Sequence, residues 1–204
     1  MAYKYDVFIS YRRTFPTFAR WIPETFFVPF VDYLSQKLLR PAKVFWDENS
    51  IYDGDQWESR IYDALAHSTV LVPVIIPTYF VSTWCLREYA AFDRRQQELN
   101  LAPNGIIFPI YLQNGDYPSY ATKNQGRKWH EYHHSYLNPK GDVYVEFHKE
   151  LDIFTTNLGK ALKNPPHWDP AWKDSKTWCD KPFQNLSQKT KTFLKKASAP
   201  SLSS

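Results

Sequence analysis

The sequence predicts an α/β fold, a parallel sheet with helices on both faces. Three observations carry this. Strand-length apolar runs recur at 6–10, 44–47, 70–76 and 106–112, and segments with helical spacing lie between them. The run Val70-Leu71-Val72-Pro73-Val74-Ile75-Ile76 is apolar at every position, as a central parallel strand buried on two faces should be. The chain has 204 residues, 43% hydrophobic and 18% aromatic, enough for one cored domain with room for an extension. Residues 1–163 are read as that domain, with an inserted loop region at 114–141, and 164–204 as an aromatic- and lysine-rich extension with a disordered end.

The first strand, 6–10, is followed at once by Tyr11-Arg12-Arg13-Thr14, which puts cationic groups at its carboxyl end, where open α/β sheets bind ligands. Adjacent arginines there are either surface charge or a bidentate grip for a pyrophosphate. Residues 15–23 contain Pro16 and Pro23, too many breaks for one continuous helix, so the first strand-to-helix connection is expected to be long. From 26 to 39, Phe26, Phe27, Phe30, Val31, Leu34, Leu38 and Leu39 fall at helical spacing. After the second strand, 44–47, comes a polar loop ending at Gly54; Asp55 and Glu58 then have capping-box spacing, and Trp57, Ile61 and Leu65 give the next helix an apolar face.

Pro73 cannot donate to a ladder, so the third strand either bulges there or is less central than its apolarity suggests. A helix is expected to begin near Thr83 and run to Leu99, and 106–112 to supply a further buried strand. If the helix starts at Thr83, then Trp84, Cys85 and Glu88 crowd one face near its N-terminus. Glu88 is there either a first-turn charge that complements the helix dipole or a catalytic group. A closing helix is expected over 143–162, and the segment from Pro165 to Trp168 should pack on the domain by its aromatics.

Several function classes fall away. There is no glycine-rich phosphate loop, serine elbow or metal-ligand spacing; the run His130-Glu131-Tyr132-His133-His134 has ligand-type residues without a recognised arrangement, so no metal is expected. Cys85 and Cys179 fit no disulfide framework and are expected to be reduced thiols. The net charge of +4 is mild, and the cluster Lys189, Lys191, Lys195 and Lys196 is read as a solvated helix face, not a nucleic-acid patch. No run approaches the roughly 20 apolar residues of a membrane span and no signal-peptide core precedes the first strand, so the expected location is the cytoplasm, with no membrane partner.

The ordered motifs resemble one family. Asp6-Val7-Phe8-Ile9-Ser10-Tyr11-Arg12-Arg13 is similar to the first box of Toll/interleukin-1 receptor (TIR) domains, particularly of the prokaryotic members and the NAD-cleaving animal one. Val44-Phe45-Trp46-Asp47 through Asp53-Gly54-Asp55-Gln56-Trp57 resembles the family's second strand and BB loop. Pro77-Thr78-Tyr79-Phe80-Val81-Ser82-Thr83-Trp84-Cys85-Leu86-Arg87-Glu88 resembles the approach to its third helix. The likeness covers about residues 5–112. It implies a flavodoxin-like TIR sheet of five parallel strands and gives Glu88 the position of the catalytic glutamate of NAD-cleaving members. It also implies a substrate site built from Ser10, Tyr11, Arg12 and Arg13, from Trp46, Asp47, Asn49 and Trp57, and from Trp84. Asn49 stands where the animal enzyme has a substrate-contacting acid, with Glu48 beside it.

The expected activity is that of an NAD glycohydrolase or ADP-ribosyl cyclase in antiviral or immune signalling. NAD is the substrate and no further cofactor is needed. The implied partners are other TIR domains, through self-assembly at the BB loop, and a downstream effector that senses the product. Two other readings stand beside it: a non-catalytic adaptor acting by homotypic TIR contacts, and a module that binds NAD or a cyclic nucleotide without cleaving it.

Overall fold

A computed structural model of the chain describes residues 3–14, 16–47, 54–101, 105–119, 121–122, 124, 126–133 and 141–174. Most of the polar loop after the second strand, including Glu48 and Asn49, lies outside them, as do Cys179 and the lysine cluster of the tail. The expected capping box rests on the Asp55 side chain, also outside the described set.

Five parallel strands form one sheet in the order β2-β1-β3-β4-β5. They are β1 (Tyr5–Tyr11), β2 (Val44–Trp46), β3 (Ser68–Ile75), β4 (Ile110–Tyr111) and β5 (Arg127–Lys128). This is the flavodoxin-like arrangement, and β3, which holds most of the apolar run 70–76, is its central strand, buried at every position. Strand alternation sorts β1 between the two faces. Tyr11 turns to the side where Trp46 meets Phe27, their rings 4.9 Å apart. Phe8 and Ser10 turn to the other side, where Phe8 stacks on Phe45 at 5.0 Å and Ser10 meets the helix after β3.

Three segments differ from the sequence expectation, each for a physical reason. The proline-rich stretch after β1 is helical. Helix α1 (Pro16–Trp21) runs through a π-helical turn, Ile22–Phe26, into α2 (Phe27–Leu38). Pro23 has no N–H and its ring would strike the carbonyl four residues back, so the wider turn accommodates it, and Phe27 N–H reaches Ile22 O, five residues back. Trp21 and Phe26, also five apart, are thereby stacked at 5.0 Å in the core. The connection after β1 is therefore short.

Pro73 causes no bulge, since β1 and β3 keep one register from Tyr5↔Ser68 through Ser10↔Pro73 to Tyr11↔Val74. Its effect falls on the other neighbour. Leu71 N–H bonds Ile106 O at 2.8 Å and Leu112 N–H bonds Ile75 O at 2.9 Å, so alternate residues 71, 73 and 75 turn their backbone groups toward β4. Without an N–H at 73 the ladder opens, and the expected strand 106–112 is reduced to an isolated bridge, Leu71↔Ile107, and the two residues of β4. The third difference is β5, which lies inside the region read as loop. It is fastened by Arg127 N–H to Pro109 O and Trp129 N–H to Tyr111 O, both 2.8 Å, and has no apolar run to announce it.

Helices α3 (Gly54–His67), α4 (Thr83–Glu98) and α5 (Asp142–Lys163) complete the layers. On α5 the expected face is buried from Phe147 to Leu162, while Val143 is 44% exposed. It meets α1, α2 and the β5 region through aromatic contacts, Phe30 with Phe154 and Trp21, Trp129 and Tyr132 with Phe147. The segment after α5 packs as its aromatics suggest. Trp168 stacks on His67 at 5.5 Å and donates to Ala66 O at 3.0 Å, and Trp172 is buried over the guanidinium of Arg95. Among the described residues no helix is long and apolar enough to cross a membrane.

Candidate functional site

The site lies at the carboxyl ends of β1 and β2, the edge at which parallel sheets leave helix N-termini and loops free to hold ligands. A cavity of about 280 Å³ opens there. Its walls include Tyr11, Arg12 and Arg13 after β1, Asp47 after β2, Trp57 on α3, and Ser82, Trp84, Cys85 and Glu88 around the start of α4.

Helix α4 starts where the sequence places it. Ser82 is extended and its hydroxyl accepts from Cys85 N–H at 3.4 Å, capping the helix. The spacing of three and four residues brings Cys85, Trp84 and Glu88 to the cavity side. Glu88 is only 8% exposed, so it is not a solvated first-turn charge. Burial pushes its carboxyl up from the ordinary value to about 7, while a hydrogen bond donated by Ser10 and the charge of Arg13 pull the other way. Ser10 reaches it because strand alternation turns that hydroxyl toward α4; Ser10 is itself 1% exposed and lies 2.6 Å from the phenol oxygen of Tyr79. Cys85 is buried and its thiol is pushed up by that burial and by the adjacent Glu88, which keeps it protonated and a poor nucleophile.

The two arginines have separate anchors. Arg12 donates to Thr78 O, and Arg13 pairs with the Asp47 carboxylate with its guanidinium 5.7 Å from the Trp57 ring centre. Asp47 also accepts from the Trp57 indole N–H, and Arg60 stands 3.6 Å from its Oδ1, which accepts no hydrogen bond among the described residues. Trp57 meets Trp84 edge-on at 4.7 Å, so the indoles of α3 and α4 form one aromatic wall. Tyr11 donates to Asp47 O at 2.9 Å and ties the ends of β1 and β2 together.

Of the residues singled out by sequence, Glu88, Tyr11, Arg12, Arg13, Asp47, Trp57 and Trp84 converge on one cavity, with Ser10 directly behind Glu88. Trp46 is not among them. It sits between Tyr11 and Phe27 on the α2 side of the sheet. Asn49 lies outside the described residues. Within the described part of the histidine-rich run, Tyr132 is buried and the ring of His133 stacks on Phe18 at 5.5 Å. Sequence reasoning missed Tyr79 and Arg60. Tyr79 lies in a short 3₁₀ turn, Tyr79–Val81, with no periodicity to mark it; the one available signal was a phenol hydroxyl within an otherwise apolar stretch, which needs a buried partner.

The family model for the TIR domain matches residues 7–150. A probable 2′ cyclic ADP-D-ribose synthase of Brachypodium distachyon is 32% identical over 113 residues, which are 52% of this chain and 46% of that protein, so the match spans about half the length of each. Among solved structures, the TIR domain of the Toll-related receptor TRR-2 of Hydra magnipapillata aligns with a TM-score of 0.46 at 20% identity, over 79% of this chain and 100% of that one. The TIR domains of the activated Roq1 resistosome, which recognises the pathogen effector XopQ, align with a TM-score of 0.37 at 19% identity, over 90% of this chain and 100% of that one. With the family match running from β1 into α5, the chain belongs to the TIR domain family.

Proposed function

We propose that the chain cleaves the bond between nicotinamide and ribose in NAD, releasing nicotinamide and either ADP-ribose or a cyclic ADP-ribose. The observation that carries this is the buried Glu88 carboxylate, facing a cavity that also holds two arginines and an aromatic wall. Nicotinamide leaves as a neutral base, so departure needs no general acid; the demand is stabilisation of a positively charged, oxocarbenium-like ribose. One carboxylate in a water-poor setting meets that demand, because its attraction for the developing cation is little screened. The ionised form of Glu88 is the competent one, and a group titrating near 7 supplies it at neutral pH.

A volume of about 280 Å³ lies just below the usual range of ligand pockets, roughly 300–1,000 Å³, and suits the nicotinamide-riboside end of the substrate better than the whole dinucleotide. In this reading the diphosphate passes the cationic mouth at Arg12 and Arg13, and the indoles of Trp57 and Trp84 offer faces for a base. Attack by water gives ADP-ribose and a proton; attack by a nucleophile of the ADP-ribose itself gives a cyclic product. The name of the Brachypodium relative supports the cyclic outcome. Family membership supports self-assembly with other TIR domains, and a signalling product implies an effector that senses it.

The test is incubation of concentrated or crowded protein with NAD, followed by chromatography for nicotinamide, ADP-ribose and cyclic products, with Glu88→Gln alongside. Nicotinamide release by the wild type alone is the expected result. Its absence from the assembled wild type, or undiminished turnover by Glu88→Gln, overturns the proposal, and assembly without turnover is the signature of an adaptor.

A further inference from the structure

We propose that Tyr79 is a positioning residue for Glu88, acting through the hydroxyl of Ser10; this rests on the NAD-cleaving role given to Glu88 above. The geometry is a buried chain of three side chains from three elements. Ser10 on β1 donates to Glu88 Oε2 on α4, and the Ser10 oxygen lies 2.6 Å from the phenol oxygen of Tyr79, in the turn between β3 and α4. A serine hydroxyl has one proton. Since that proton goes to Glu88, the short contact with Tyr79 is made by the phenol donating to Ser10 Oγ. Tyr79 is fully buried and burial pushes its phenol well above the ordinary value, so it remains a donor over the working pH range.

Donation by Tyr79 does two things. It stops the Ser10 hydroxyl from rotating away from the carboxylate, and it polarises that hydroxyl so that its own bond to the ionised Glu88 is stronger. The other charged and titratable groups near Glu88 are Arg12 and Arg13 from the end of β1, Asp47 from the end of β2, and Cys85 and Tyr89 on α4. Asp47 is paired with Arg13, and the Cys85 thiol is protonated and weak as a donor, so among the described residues Ser10 is the neutral side chain that donates to the carboxylate and Tyr79 the group that orients it.

The experiment titrates the Glu88 carboxyl carbon by NMR in protein labelled at glutamate, with the signal assigned by its loss in Glu88→Gln. Ser10→Ala should raise the midpoint by about one to two pH units, the worth of a hydrogen bond to a charged group. Tyr79→Phe, which keeps the ring against Phe80, should raise it by a few tenths of a unit, and the double variant should match Ser10→Ala alone. In turnover, the acid limb of kcat should move by the same amount with KM unchanged. A midpoint unmoved in Tyr79→Phe, or shifts that add in the double variant, overturns the relay. If Tyr79→Phe does not fold, fluorotyrosine at position 79, a stronger donor, decides: a lowered midpoint supports the relay and an unmoved one overturns it. Because the titration needs no turnover, failure of the relay and failure of the NAD reading are told apart.

Discussion

Helix α4 buries an acid and a base, Glu88 in its second turn and Arg95 in its last, and they are treated in opposite ways. Arg95 is 1% exposed and surrounded. Its guanidinium donates to Leu65 O at 2.6 Å and Ser68 O at 3.4 Å, and lies 4.5 Å from the ring centres of both Phe92 and Trp172. The carbonyls it caps lie where α3 gives way to β3, and Trp168 caps the one of Ala66 between them. Glu88 is almost as deeply buried but, among the described residues, receives one side-chain hydrogen bond, and it borders a cavity. A buried charge with acceptors and rings on every side fastens helices together; a buried charge beside open space is held at a cost that only a ligand recovers.

The comparison can be broken at either end. The largest expected effect is at the carboxyl edge: Glu88→Gln should lower nicotinamide release about a thousandfold. The same variant should be more stable than the wild type at alkaline pH. The carboxyl titrates near 7 in the fold against an ordinary 4.5, so the stability contributed by its proton is complete below 4.5 and is lost as pH rises through 7. At pH 8 the ionised, buried carboxylate costs up to about 3 kcal/mol, which glutamine removes; urea midpoints at pH 8 and pH 4 should show the gain at pH 8 only.

At the other end, Arg95→Met should destabilise the fold by about 3 kcal/mol by stranding two buried carbonyls and two ring faces, while turnover per folded molecule stays as in the wild type. A loss of turnover larger than the loss of folded protein would erase the distinction between the two residues. Next in size is the pH dependence of the wild type, whose rate one unit below the Glu88 midpoint should be about a tenth of its plateau, measured as initial rates from pH 5 to 8.5. The smallest effect is Trp168→Phe, which keeps an aromatic face against His67 and loses one hydrogen bond to Ala66 O; about 1 kcal/mol in a denaturant titration is expected, with no change in rate.

Much of the sheet was legible because its signals are local. The runs at β1 and β3 are long and apolar, and the spacing of Trp84, Cys85 and Glu88 follows from helix geometry alone once Ser82 caps the helix. What escaped depends on partners far along the chain. Pro73 looked like a strand defect because the sequence does not say which neighbour each residue faces; the structure turns position 73 toward β4, and the gap appears there. Strand β5 is two residues held by backbone bonds to 109 and 111, with no pattern of its own. The π turn was hidden by Pro23, whose usual effect is to end a helix. At the site, Asp47, Trp57 and the arginines were found through ordered motifs, whereas Tyr79 matters only through its distance to Ser10, a contact spanning 69 residues.

The opening at Pro73 also divides the sheet by how readily it breathes. On one side, β2, β1 and β3 share continuous ladders and hold Ser10, Arg12, Arg13 and Asp47 on or next to them; on the other, β4 and β5 hang from two-residue pairings. Local opening should therefore start at β4 and β5, where the pairings are short and Pro73 supplies no N–H toward β4. In amide exchange the β1 and β3 protons should outlast those of 110–111 and 127–128 by orders of magnitude. The outer strands can thus fluctuate while the plank beneath Glu88 stays still.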